Sequence, residues 1–277
     1  EERDAPAQAK RSVLESFSVV KHNKYFMLKC AANFLTVFSP SVDEQLVYRY
    51  LAPKIRLKPL EKLLRKKQPM ILEGEAWLLI KQQLGGLPIT FLQPFVRQLV
   101  NWAGGPLRTQ RIHSVCAIAC NAIKYWAGLK STPRIALVIL MESVLLVTET
   151  CSNVAGEMLD YEFYDYVELQ TGERSEGVTR AVDNLFSKIV TNNVGTITGN
   201  TFLDWTGYKG GYSQEGTRPP ARYVKWMWPM FTVMPLIDNV IWLTARSLVK
   251  WTPEDRIRTE AALAERRALV EAAETQA

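Results

Sequence analysis

The sequence has no long uncharged apolar run. A membrane-spanning helix asks for about 18–20 consecutive residues almost free of charge. The longest uncharged runs, 82–96 and 189–203, hold fifteen residues each. Charged residues make up 22% of the chain, hydrophobic residues 47%, and the mean hydropathy of −0.08 is that of an ordinary soluble protein. Cysteine is scarce: Cys30, Cys116, Cys120 and Cys151 all fall in apolar segments and form no C-x-x-C pair, and the two histidines, His22 and His113, stand far apart. That pattern argues against a zinc site and reads as buried thiols. Strand-type alternation is absent, so the chain reads as all-α. No Ser/His/Asp pattern, P-loop, dinucleotide fingerprint or metal-ligand cluster is present, which argues against a soluble enzyme. No signal peptide is visible, and a chain that opens on Glu1 rather than Met reads as a processed or trimmed product.

What is present is aromatic, basic and segmented. There are eight Trp, and the net charge of +6 suits nucleic acid, anionic lipid or an acidic partner equally. A polar segment, 1–22, precedes a domain at 23–251. Within that domain six stretches of helical character are separated by short turns, with Pro40 expected to kink the first. A basic insertion at 53–70 carries seven Lys/Arg against one Glu, and its Lys54–Lys67 portion suits an anionic partner or lipid headgroups. "GGPLRTQR" (104–111) reads as a turn with two arginines, and 252–277 as a charged, Ala-rich helix. Trp226 and Trp228 open the last long apolar segment, and Trp242 and Trp251 mark its far part, as interfacial aromatics do. Gly195 and Gly199 form a G-x-x-x-G that permits close helix packing. Together these features favour a polytopic membrane protein.

The charges inside the apolar stretches are then informative. Glu142, Glu149 and Glu157 are seven and eight residues apart. At about 100° per residue they share a face of about 80°. Three carboxylates facing lipid would be prohibitive, so this face is expected to look into a bundle or a wet cavity. A solvated face or a structural polar seam is the other reading. Lys188 and Asp238 likewise lie inside helical segments and need a partner or water.

Between two such segments lies "DYVELQTGERSEG" (165–177), with five formal charges in thirteen residues and Lys188 following eleven residues later. Asp165, Tyr166, Glu168, Thr171, Gly172, Arg174, Glu176, Gly177 and Lys188 fit the pattern D-Y-x-E-x-x-T-G-x-R-x-E-G followed by a helix-embedded lysine. Glu162 takes the place of the acidic residue three positions upstream. The stretch resembles a signature of the glycoside–pentoside–hexuronide:cation symporters, the melibiose-permease branch of the major facilitator superfamily. "KHNKYF", "NWAGGPLRTQR", "FLDWTGY" and "MPLIDNVIWL" resemble further segments of that family's second half, so the likeness covers about 20–250.

The resemblance implies about six transmembrane helices, equivalent to the C-terminal half of a major facilitator fold, in an integral membrane protein that is not an enzyme. The implied function is sugar:cation symport by alternating access with an N-terminal half outside this chain. It implies Na+ or H+ as coupling ion, a sugar or glycoside as substrate, and lipid and a complementary six-helix half as partners. Asp165, Tyr166, Glu168, Arg174 and Glu176 would form a cytoplasmic gating loop, and Lys188 would lie near the central cavity. A different class stays open: a degenerate half retained as a non-transporting structural subunit of a larger membrane complex. In the family's orientation the two sides of the membrane each carry fourteen Lys/Arg, so the usual cytoplasmic excess is missing, which favours that alternative. A soluble helical bundle that binds nucleic acid is a third reading.

Overall fold

The side chain of Asn23 accepts the amide of Phe26 at 3.0 Å and starts α1 (Lys24–Thr36). The computed structural model describes residues 23–56, 71–72, 74–171, 176–209 and 219–276. Pro40 does not kink a continuous helix. The chain leaves α1 at Thr36, and Asp43 caps a second helix, α2 (Glu44–Leu51), by accepting from the amide of Gln45 at 2.8 Å. The described part of the basic insertion shows the one departure from all-α structure among the described residues. Ile55–Arg56 (β1) pairs antiparallel with Ile71–Leu72 (β2). The rest of the Lys54–Lys67 surface and the polar segment 1–22 lie outside the described residues.

The third helix, α3 (Gly74–Leu92), opens on a glycine for a steric reason. A Cβ at Gly74 would fall within 2.6 Å of backbone atoms of Tyr48 and Arg49 in α2. This helix runs through Gly85-Gly86 and Pro88, where the sequence suggests a break. The break comes instead at a 3₁₀ turn, Gln93–Phe95, containing Pro94, and α4 (Val96–Trp102) follows. Gly104 and Gly105, both at positive φ (95° and 102°), turn the chain into α5 (Pro106–Ala127), with Pro106 at its first position. Arg108 and Arg111 therefore lie on a helix, not in a turn.

The 40-residue α6 (Thr132–Thr171) is the spine of the fold. At 1.5 Å per residue it measures about 60 Å, twice the hydrocarbon thickness of a bilayer. Its charged last part continues as helix beyond the apolar part, so Asp165, Tyr166 and Glu168 stand on α6 and not in a loop. A short connection outside the described residues, holding Arg174, leads to α7 (Glu176–Ser187). A π-helical turn (Lys188–Gly195), α8 (Thr196–Thr206), α9 (Ala221–Leu248) and α10 (Pro253–Gln276) follow.

Two apolar clusters pack opposite parts of α6. One joins Leu46, Tyr48, Trp77, Ile135, Val138, Ile139, Phe202 and Met227; the other joins Tyr25, Leu107, Leu159, Phe163 and Val249. Ile139 and Leu159 are twenty residues apart, about 30 Å along the helix; α5 packs along α6, and α9 packs on α5. Six spanning segments are expected from the sequence. Among the described residues one helix, over Thr132–Gln170, is long and apolar enough to cross a membrane by length and composition. Charges such as Lys81, Lys124 and Asp238 interrupt the other long helices.

Candidate functional site

The site is built on one carboxylate. Glu142 of α6 bonds the ammonium of Lys124 on α5 and reaches Lys81 of α3 at 3.4 Å. Lys81 in turn pairs with Glu44 at the start of α2. Lys124 is 2% exposed, and its Nζ lies 4.8 Å from the ring centroid of Phe231 on α9. Four helices, α2, α3, α5 and α6, are thus joined by two lysines and two glutamates of balanced charge. A buried charge is tolerated only when so paired.

A cavity of about 410 Å³ opens beside this ladder, between the two apolar clusters. Its walls include Lys81, His113, Asn121, Lys124, Glu142 and Glu149, and across from them Phe231, Asp238 and Asn239 of α9. Ser39 to Val42, the segment joining α1 to α2, also border it. The size suits one small solute.

The carboxylate face read from the sequence divides here. Glu142 and Glu149 line the cavity and Asp238 joins them from α9, but Glu157 is exposed and outside it. At that level α6 packs Ala155, on the face nearly opposite Glu157, against Val96 and Val100 of α4. Lys188 opens the π-helical turn, is exposed, and does not border the cavity. Gly195 would place a Cβ 3.6 Å from Val37, an ordinary contact, while Gly199 faces open space. The G-x-x-x-G pair therefore brings no two described helices together.

The far end of α6 carries a second set of ionic links. Lys29 of α1 pairs with Asp160 of α6 (2.9 Å) and Asp183 of α7 (3.2 Å). Glu162 accepts from Trp251 Nε1 at 2.9 Å and pairs with Arg256 of α10 at 3.2 Å. Of the predicted gating residues, the Tyr166 ring stands edge-on to Trp251 (centroids 5.4 Å apart), and the Glu168 carbonyl accepts from Arg266 at 3.5 Å. Glu176 pairs with Arg180 one turn on (3.3 Å). Asp165 shares the α6 extension with them, and Arg174 lies outside the described residues. Nearby, Arg111 and Arg246 lock α5 to α9. Arg111 donates to the carbonyls of Arg246 (2.8 Å) and Val249 (2.7 Å), and Arg246 donates to the Gln110 carbonyl (3.1 Å) and Ser114 Oγ (2.6 Å).

Sequence reasoning missed Lys81, Lys124, Asn121, Lys29, Asp160 and Asp183. The signal for the first two is present: each is a lysine inside an apolar stretch, which demands a partner just as Glu142 does. Asn121 carries none.

The model of the family described as MFS/sugar transport protein matches residues 76–245, well over half of the chain. No curated protein and no solved structure matches it. The matched span runs from the first turn of α3 to the last turn of α9, and so contains the cavity with its ladder, apart from Glu44 and the Ser39–Val42 border. The chain belongs to the MFS/sugar transport family of the major facilitator superfamily, a family of membrane transporters.

Proposed function

We propose that this chain is the C-terminal half of a sugar:cation symporter of the melibiose-permease branch, working by alternating access with a complementary six-helix half. The observation that carries the reading is the solute-sized cavity midway along α6, bordered by Glu142, Glu149 and Asp238 and held between two apolar clusters. Transporters of this architecture bind near the membrane midplane, where two repeats meet. The coupling ion, Na+ or H+, would be read by the carboxylates of the two halves together. The links at the far end of α6 suit a latch: partly exposed ion pairs are worth about 0–1 kcal/mol each, so a cluster can close and release.

The even distribution of Lys/Arg supports a second reading, a non-transporting structural subunit of a membrane complex. One experiment separates them. The native particle is purified in mild detergent, weighed by mass spectrometry, reconstituted, and assayed for sugar uptake driven by a Na+ or H+ gradient. One complementary six-helix chain with gradient-driven uptake is expected. Many unrelated subunits at fixed stoichiometry with no uptake would overturn the transporter reading in favour of the scaffold.

A further inference from the structure

One uncharged polar group of the cavity wall stands out. Asn121 is 2% exposed, and its Nδ2 donates to the carbonyl of Ala117 at 2.8 Å. That bond fixes which way the amide lies, and the opposite atom, Oδ1, is buried with no hydrogen-bond partner among the described residues. Asn239 lies the same way on α9, one N–H of its Nδ2 donating to Pro235 O at 2.8 Å. His113 Nδ1 lies 3.0 Å from the hydroxyl of Thr148, which also reaches the carbonyl of Leu145 at 3.0 Å.

The charges lean the same way. The ammoniums of Lys81 and Lys124 are matched by Glu44 and Glu142, and Lys124 is further held against Phe231. Glu149 and Asp238 remain, the latter accepting from Ser39, with no further lysine or arginine on the cavity wall among the described residues. Among the described residues the wall and its ladder thus hold four carboxylates, Glu44 included, against two ammoniums, and one buried amide oxygen without a donor. A buried acceptor without a donor is costly, and the ligand that relieves it is one rich in N–H donors and positive charge.

We propose that the cavity binds a solute bearing an ammonium group, such as an amino sugar, in preference to a neutral sugar or an anionic one. This rests on the transporter reading above and names the substrate class of the same cavity. The ammonium would lie between Glu149, Asp238 and the oxygen of Asn121.

The test uses the native particle in mild detergent and measures equilibrium binding of radiolabelled glucosamine, protonated at mildly acid pH, against glucose and glucuronate. Glucosamine and glucose differ at one substituent. Glucosamine is expected to bind tightest by roughly tenfold or more, the worth of a charge-assisted hydrogen bond. Both E149Q and D238N are expected to erase that advantage. A second variant, E149K, at an exposed position, is expected to shift preference toward glucuronate, a gain that misfolding cannot produce. Equal binding of glucose and glucosamine, or a preference for glucuronate in the unaltered protein, would overturn the proposal and leave transport standing. A response to Na+ alone, with no amine bound, would assign the carboxylates to an inorganic ion and overturn it likewise. Failure to bind any probe, together with absent uptake in the reconstituted assay, would overturn both readings.

Discussion

Glu142 holds Lys124 and Lys81 at once, so one carboxylate neutralises two ammoniums that arrive on different helices. The two partners are not equivalent. Lys81 keeps Glu44 if Glu142 is lost, whereas Lys124 is left with the face of Phe231. E142L is therefore expected to cost about 3–5 kcal/mol, the penalty of stranding a buried charge. The double variant K124M/E142L, which removes the stranded charge as well, is expected to be more stable than E142L alone. Thermal denaturation in detergent, read as a double-mutant cycle, checks the sign. Additive losses would show that Lys124 does not depend on Glu142.

Arg111 closes the last turn of α9 by giving a forked donor to two carbonyls, Arg246 O and Val249 O. Charge-assisted bonds to otherwise unpaired helix-terminal carbonyls contribute about 1.5–3 kcal/mol. R111A is expected to cost that much, and R111K to restore little of it, because an ammonium cannot reproduce the planar fork. Melting of the purified variants measures both, and full rescue by lysine would contradict the bidentate geometry.

Asp255 and Thr252 start α10 as a reciprocal cap. The Asp255 carboxylate accepts the amide (2.9 Å) and hydroxyl (2.8 Å) of Thr252, while Thr252 Oγ1 accepts the Asp255 amide (3.2 Å). The Thr252 backbone and side-chain bonds, with help from Arg258, hold the carboxyl below the usual aspartate range. A lowered folded value means that the cap's contribution is complete above about pH 4, the ordinary carboxylate value, and is lost as pH falls through the lowered one. Hydrogen exchange over 252–258 is expected to quicken below that range, after correction for intrinsic rates. In D255A it is expected to be fast throughout. Identical pH profiles for the two proteins would assign the cap to other groups.

Much of the carboxylate face is legible in the residue spacing. Glu142 and Glu149 share a helical face by spacing alone, and both border the cavity. Glu157 shares the face by spacing and lies outside the cavity, exposed about two turns beyond Glu149. The charged stretch at 165–177 reads as a loop because its residues suit water. Helix propensity does not depend on which side of a membrane boundary a residue lies, so α6 carries on to Thr171. Pro88 and Gly85-Gly86 mislead in the same direction: each disfavours helix locally, and α3 packed along α6 stays helical through them.

By itself the sequence determined the helical class, the membership in a transporter family, and the need for every charge inside an apolar stretch to find a partner. The helical class follows from local periodicity, the family from the match over residues 76–245, and the need for partners from the cost of burying charge, which residues carry wherever the chain places them. Only the tertiary structure decided which partners meet. Lys81, Lys124 and Glu142 are brought together from three helices, and the amide oxygen of Asn121, a residue of the cavity wall, is left buried without a donor among the described residues. Pairing is a matter of distance in space, and spacing along one helix says nothing of what the neighbouring helices bring to its side.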